Sequence, residues 1–128
     1  DVARRGTGGL NYGWSVTEGP DCFREAGCSA EGLTPPVTFY GRDAGCTVIG
    51  GVVYRGEAWP VLRGAYLFAD FCTGTVWAID AAQETVAEPT IVATANGRSI
   101  SSFGEDANGE VFVTDLGGEL LRLTAPAQ

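Results

Sequence analysis

One local pattern recurs along the chain: short runs rich in β-branched and aromatic residues alternate with Gly, Asn, Asp and Pro. Such runs, separated by turn signals like Asn108-Gly109 and Gly117-Gly118, are typical of antiparallel strands joined by hairpins. A helix needs apolar residues three and four positions apart over about a dozen residues. The pattern therefore predicts an all-β chain with little or no helix. The predicted strands are residues 11–16, 37–40, 47–55, 65–71, 75–80, 90–95, 100–103, 110–115 and 119–124.

Consecutive hairpins of this kind predict a β-propeller, in which each blade is a meander of four antiparallel strands. Residues 47–95 hold four predicted strands and form one full blade, whereas residues 96–128 hold three and form an incomplete last blade. Residues 1–46 supply a first strand and a long Cys-stapled loop. We thus predict one domain, a partial propeller over residues 1–128. An incomplete blade indicates either lost upstream sequence or an intermolecular partner.

The charge and the apolar pattern exclude two classes of partner. Sixteen acidic side chains oppose eight Arg, so the formal net charge is −8, which repels phosphate backbones and anionic lipid. The apolar runs are only a few residues long, far below the roughly 20 that cross a bilayer. We therefore expect neither a nucleic acid nor a membrane as partner. No signal-peptide pattern opens the chain, so Asp1 is expected to be either a mature N-terminus or a cut inside a longer protein, and we favour the cut.

The four Cys predict two structural disulfides, because the chain has no His and no Cys-x-x-Cys spacing for zinc or thioredoxin-like chemistry. Three pairings are possible. We predict Cys22 with Cys28, which closes a tight loop, and hence Cys46 with Cys72, which stabilises the fold by roughly 3 kcal/mol on the chain-entropy model. Disulfides of this kind indicate a secreted or periplasmic protein.

The residue types that most enzymes use are absent. The chain has no Lys, His or Met, which removes the amine nucleophile, the neutral-pH proton shuttle and the thioether ligand. No Ser-His-Asp or Cys-His nucleophile can be assembled, and four paired Cys leave no thiolate. An Arg-for-Lys compositional bias explains the missing Lys equally well. We predict no catalytic residue in this chain.

Three acidic features have a structural interpretation beside a functional one. Residues 105–110, Glu-Asp-Ala-Asn-Gly-Glu, resemble a calcium loop, but Asp-x-Asn-Gly is also common as a hairpin whose side chains bond their own backbone. Asp70 and Asp115 each end a strand just before a Gly turn, and this repeated placement predicts that they brace turns. We favour the structural interpretation of all three and predict no metal ligand.

Exposed aromatic rings are candidate surfaces for sugars, since aromatic faces bury the apolar side of a sugar. Trp77 alternates with apolar residues in a predicted strand and is expected in the core. Trp59 precedes Pro60 in a loop and is the best candidate for an exposed ring. The other rings considered for such a platform are Trp14, Tyr12, Tyr40 and Tyr66.

Four ordered segments resemble one known family. Residues 9–14 (GLNYGW), 45–56 (GCTVIGGVVYRG), 62–77 (LRGAYLFADFCTGTVW) and 100–110 (ISSFGEDANGE) are similar to the soluble glucose/sorbosone dehydrogenases, which depend on pyrroloquinoline quinone (PQQ). The resemblance covers nearly the whole chain. It implies a six-bladed propeller, of which this chain supplies about two to two and a half C-terminal blades of four-stranded antiparallel sheet.

The resemblance also implies a cofactor and a mechanism. In the enzymatic members PQQ sits above the central channel beside calcium, and a His base takes the proton of the sugar C1 hydroxyl while hydride passes to the quinone. That His and most calcium ligands precede the residues that match 11–14. They lie outside this chain.

Three residues are carried over from the family as cofactor contacts. They are the backbone at Gly50 and Gly51, and Arg98, whose guanidinium suits a bidentate bond to a carboxylate of the quinone. A family Lys that contacts the quinone falls near Cys72 and Thr73, and a second Arg falls near Ile100, so both contacts are missing here.

These observations give one expected function and one alternative. We expect a fragment of a secreted PQQ-dependent sugar dehydrogenase-like propeller that is not catalytic by itself. The alternative is a non-enzymatic module that binds carbohydrate or protein. In either case the partner that completes the ring is the set of missing blades or a second copy of the chain.

Overall fold

The computed structural model describes residues 6–82 and 88–124. The chain divides into two compact units, which among the described residues comprise 6–39 and 40–82 with 88–124. The described residues are β-strands, turns and loops with a 3-10 turn at Pro60–Leu62, which confirms the all-β prediction. No helix in this part of the chain has the length and apolar character to cross a bilayer.

The first unit contains a small antiparallel hairpin of β1 (Thr17–Glu18) and β2 (Asp21–Cys22). The predicted strand at 11–16 is wrong, because the chain turns there. Gly13 has a φ of 97°, and its carbonyl accepts hydrogen bonds from the backbone N–H of Val16 (2.7 Å) and of Thr17. The predicted strand at 37–40, at the junction of the units, is likewise loop. The Cys22–Cys28 disulfide forms as predicted, with the two Cα atoms 5.8 Å apart.

The second unit contains two antiparallel sheets in chain order. The four-stranded sheet has the order β3-β4-β5-β6 and the three-stranded sheet the order β7-β8-β9. Both are meanders, and each predicted strand from 47 onward is found to within two residues. The strands are β3 (Val48–Val53), β4 (Ala65–Asp70), β5 (Thr75–Asp80), β6 (Thr90–Thr94), β7 (Ile100–Glu105), β8 (Val111–Asp115) and β9 (Leu120–Arg122).

The two sheets of the second unit share their apolar core. Side chains alternate between the two faces of a strand, so every second residue of β4, β5 and β8 faces the core. Leu67 and Ala78 of the four-stranded sheet lie in one buried cluster with Val111 of the three-stranded sheet and with Leu123. A second cluster joins the sheets through Ala69, Val76, Ile100 and Val113. The blade count and closure of a ring stay predictions.

Candidate functional site

Arg98, a predicted cofactor contact, lies in the connection between β6 and β7 and already has two acidic partners. Its Nη1 is 2.6 Å from Oε2 of Glu119 and 3.7 Å from Oδ2 of Asp115. The Arg98 side chain as a whole is one-third exposed, at 33%. A carboxylate ligand would therefore compete with two internal carboxylates for this group.

Gly50 and Gly51, the other predicted contacts, lie in an irregularity of β3, where the register with β4 shifts between Ile49 and Val52. A Cβ at Gly51 would overlap the carbonyl oxygen of Leu67 on β4 and lie 3.0 Å from the Tyr66 ring. A Cβ at Gly50 would lie 3.1 Å from the Tyr66 hydroxyl alone. Both glycines thus permit close packing of β3 on β4. Among the described residues, no hydrogen bond or ion pair joins them to Arg98.

Asp70, at the end of β4, is the hub of a buried hydrogen-bond cluster. It is fully buried, and its Oδ1 accepts from the backbone N–H of Cys46 (2.8 Å), the N–H of Thr47 (2.9 Å) and the Tyr40 hydroxyl (3.0 Å). Its Oδ2 accepts from the N–H of Thr73 at 2.8 Å. Burial by itself raises the pKa of a carboxyl group, but these donors outweigh it and lower the pKa of Asp70 to about 2.

The Asp70 cluster confirms that this residue braces a turn. Cys46 and Cys72 flank it and form the second predicted disulfide, with Cα atoms 5.8 Å apart. The three side chains are close enough to suggest a metal site, since their potential ligand atoms all lie within 4.8 Å of one another. Both sulfurs are used in the disulfide and both carboxylate oxygens accept protein hydrogen bonds, so the oxidised cluster offers no site for a cation.

Glu110 is a second buried carboxylate, which sequence reasoning left without a role of its own. It is 6% exposed, and its Oε2 accepts a hydrogen bond from the Tyr54 hydroxyl at 2.8 Å. Its Oε1 accepts from the backbone N–H of Glu57 (3.1 Å) and of Ala58 (3.0 Å). These bonds, chiefly those from Ala58 and Tyr54, lower the pKa of Glu110. Glu110 thereby ties the start of β8 to the segment that follows β3.

Tyr54 completes this clamp between the sheets. It is fully buried, and its hydroxyl accepts from the backbone N–H of Trp59 at 3.0 Å while donating to Glu110. Burial, followed by the bond to Glu110, raises the pKa of Tyr54. Burial, followed by the bond to Asp70, raises that of Tyr40 in the same way. Both phenols therefore stay neutral donors well above neutral pH.

The loop from Glu105 to Glu110 has the geometry of a hairpin. Oδ1 of Asp106 accepts from the backbone N–H of Asn108 (2.8 Å) and of Glu110 (3.0 Å), and the carbonyl of Asp106 accepts from the N–H of Gly109 at 3.0 Å. Two acidic side chains of the suspected calcium loop, those of Asp106 and Glu110, thus bind backbone N–H groups. The hairpin interpretation accounts for its conformation.

Asp115 braces a connection, as predicted. Its Oδ1 accepts from the backbone N–H of Ser99 at 2.8 Å, which fixes the residue just before β7 against the end of β8. Its carbonyl also accepts from Gly118 in the turn that leads to β9. The same side chain is one of the two acidic partners of Arg98.

The prediction that Trp59 is the exposed aromatic ring is wrong. Trp59 is partly buried against the core, because its backbone N–H is held by the Tyr54 hydroxyl. Trp14 of the first unit is the most exposed of the candidate rings, at 69%, and its centroid lies 4.5 Å from that of the Phe23 ring. Tyr12 is also exposed, at 37%. Trp77 is buried, as predicted, at 7% exposure. The sequence analysis placed Trp14 inside the predicted strand at 11–16, whereas the structure has a turn there.

The acidic side chains at this site hold neighbouring segments together through hydrogen bonds. Asp70, Glu110 and Asp115 each accept backbone N–H groups, and Asp70 and Glu110 also accept a tyrosine hydroxyl. The lowered pKa values of Asp70 and Glu110 make these two carboxylates poor bases near neutral pH. All four Cys are paired. The arrangement fixes neighbouring segments of the described chain against one another.

Two plant proteins are similar to this chain. It is 28% identical to the HIPL1 protein of Arabidopsis thaliana over an alignment of 153 positions, gaps included, which covers 94% of this chain and 22% of that protein. It is 34% identical to the HIPL2 protein of the same plant over 84 residues, which cover 56% of this chain and 12% of that protein. The chain thus spans less than a quarter of the length of either relative. No protein-family profile and no solved structure match the chain.

Proposed function

We propose that the chain is a supporting segment of a secreted, PQQ-dependent sugar dehydrogenase-like propeller and has no turnover by itself. One observation carries the proposal: each buried carboxylate is used to hold backbone of an adjoining segment, as in the Glu110 clamp between the sheets. The four segments that resemble the dehydrogenase family support it. Two consecutive antiparallel sheets with a shared core are the arrangement expected of neighbouring blades.

The described residues do not fit PQQ and calcium by themselves. Arg98 is engaged with Glu119 and Asp115, and the chain has no Lys or His to add a second contact or a base. The cluster of Cys46, Asp70 and Cys72 is closed to a cation by its disulfide. In this proposal the base and the calcium ligands belong to other parts of a longer protein. This chain contributes part of the propeller scaffold and Arg98 as a contact to the quinone.

Titration of the purified, oxidised chain with PQQ and calcium tests this proposal. After addition of an aldose and a dye acceptor, we expect dye reduction no faster than with free PQQ, since no base is present. Any PQQ affinity is expected to fall in Arg98→Gln and to persist in Arg63→Gln. Arg63 is the matched control because its side chain is more exposed than that of Arg98. Its Nη2 has a single long ion pair among the described residues, 3.9 Å from Oε1 of the exposed Glu57. Saturable dye reduction by the wild-type chain would contradict the proposal.

A second candidate function, a binding module that pairs with another strand, is favoured by the outer edge of β9. Asp115 N–H donates to the Glu119 carbonyl, and Leu123 N–H donates to the Val111 carbonyl. Bonded pairs alternate along an antiparallel ladder. The backbone N–H and C=O groups of Leu120 and Arg122 therefore face away from β8, along an edge that no described strand covers. Leu120 is also 67% exposed. In this second candidate function the partner of the edge is a fourth strand. For the isolated chain, a second copy of the same chain supplies that strand.

Sedimentation velocity over a range of concentrations tests the second candidate. We expect the wild-type chain to self-associate and Leu120→Pro to stay monomeric, because Pro removes one outward N–H and no bond to β8. Val61→Ser is the matched control, since it removes an equally exposed apolar side chain, at 62%, away from the edge. Loss of association in Val61→Ser but not in Leu120→Pro would show that the contact is non-specific and would refute pairing through β9.

A further inference from the structure

The chain contains two Asn-Gly pairs, Asn96-Gly97 and Asn108-Gly109, and both Asn side chains are exposed. In an Asn-Gly pair the glycine N can attack the side-chain amide carbon, because Gly has no Cβ to obstruct the approach. The new C–N bond closes a succinimide while ammonia leaves. Water then opens the ring at either carbonyl and yields aspartate or isoaspartate. The reaction needs only water and no other reactant.

The Asn96 pair has the freedom that this reaction requires. It occupies the two central positions of a turn closed by a hydrogen bond from the Arg98 N–H to the Ala95 carbonyl at 3.1 Å. Gly97 has a φ of 72° and is exposed. Its N–H makes no hydrogen bond to any residue that the structure describes. The attacking nitrogen therefore has no bond to break before it turns toward the side chain.

The Asn108 pair is fixed by three hydrogen bonds to Asp106 and by close backbone packing. Asp106 accepts hydrogen bonds from the N–H groups of Asn108, Gly109 and Glu110, at 2.8, 3.0 and 3.0 Å. The position that a Cβ of Gly109 would take is 2.9 Å from the carbonyl carbon of Arg55, so backbone packs directly against this glycine. Attack by the Gly109 nitrogen requires breaking its own bond and rotating a peptide that is fixed on both sides.

We propose that Asn96 is a site of spontaneous covalent modification, at which the folded protein converts to aspartate and isoaspartate in preference to Asn108. Conversion of Asn96 to isoaspartate would affect contacts that join neighbouring segments. A Cβ on Gly74 would overlap the Ala95 carbonyl oxygen, so the turn rests directly on the β4–β5 connection. Isoaspartate lengthens the backbone of this turn by one carbon and adds a carboxylate two residues before Arg98. Modification therefore loosens the link between the two sheets and disturbs the ion pairs of Arg98.

Peptide mass analysis of aged protein tests the proposal. The oxidised wild-type chain is incubated at mildly alkaline pH and physiological temperature, then reduced, alkylated and cut with trypsin. Cleavage after Arg63, Arg98 and Arg122 places Asn96 and Asn108 in different peptides. The readout is the mass gain from exchange of the amide NH2 for OH, with isoaspartate identified by its separate elution. In the folded chain we expect conversion at Asn96 to be roughly tenfold faster or more, because each local opening of the Asp106 turn breaks several bonds.

Two comparisons isolate the structural cause. In reduced, denatured chain the two pairs are expected to react at similar rates, since both have the same Asn-Gly chemistry. In Asp106→Ala, checked for retained fold by circular dichroism, Asn108 is expected to accelerate toward the rate of Asn96. Equal conversion rates at Asn96 and Asn108 in the folded wild-type chain, or faster conversion at Asn108, would overturn the proposal. This holds for any rate measured in Asp106→Ala.

Discussion

The substitution Asp70→Ala is expected to lower the free energy of unfolding by about 3 kcal/mol or more, because each buried donor left without a partner costs roughly 1–3 kcal/mol. Asp70 is fully buried and accepts bonds from Cys46, Thr47, Thr73 and Tyr40. Alanine leaves all four donors unpaired beside the second disulfide. Urea denaturation followed by tryptophan fluorescence measures the loss.

Asp80→Ala is the matched control for Asp70. Asp80 also ends a strand, but it is exposed, and among the described residues its carboxylate accepts one hydrogen bond, from the N–H of Ala82 at 2.9 Å. We expect it to cost less than about 1 kcal/mol, the usual value of one exposed turn bond. Similar losses in the two variants would show that the buried cluster contributes no more than an ordinary turn.

The pH dependence of stability gives a second measure of Asp70. Its pKa is lowered from 3.8 to about 2 in the folded chain, so folding favours the ionised carboxylate. The contribution is therefore fully present above pH 4 and is lost as the pH falls through the interval between these values. Asp70→Ala is expected to flatten the acid limb of the stability curve in that interval. An unchanged limb in Asp70→Ala would contradict the lowered pKa.

The substitution Gly51→Ala is expected to destabilise the chain by about 3 kcal/mol or more, at the upper end of overpacking effects. Its Cβ would overlap the carbonyl oxygen of Leu67, which belongs to the neighbouring strand. Backbone in a strand pair cannot turn away as a side-chain end can, so β3 and β4 would have to separate. Thermal and urea denaturation measure the effect.

Gly50→Ala is the control for Gly51, since it adds the same atom to the adjacent residue. Its Cβ would approach only the Tyr66 hydroxyl, at 3.1 Å, and that group lies at the end of a flexible side chain. We expect a cost of about 1 kcal/mol, as for a small overpacking that a side chain can relieve. If Gly50→Ala proved as damaging as Gly51→Ala, the close approach of Leu67 would not be the cause. Neither result depends on whether these glycines contact a cofactor.

The elements predicted best are those whose signals are local. The strands after residue 47 and the turns at Asn108-Gly109 and Gly117-Gly118 follow from residue type and alternation over a few positions. The disulfide pairing and the bracing roles of Asp70 and Asp115 were also correct. The strand predicted at 11–16 failed, because Gly13 and its bonded carbonyl favour a turn that apolar alternation does not reveal.

By itself the sequence determined an all-β chain of hairpins closed by two disulfides, since turn residues and strand alternation act between near neighbours. Only the tertiary structure decided which polar groups are used and which rings are exposed. Tyr54 and Glu110 are 56 residues apart, and the Tyr54 hydroxyl that joins them also accepts a hydrogen bond from the backbone N–H of Trp59. Arg98 meets Glu119 only because β8 and β9 fold back beside it. Such contacts depend on the packing of whole strands, and no pattern within a short stretch of residues encodes them.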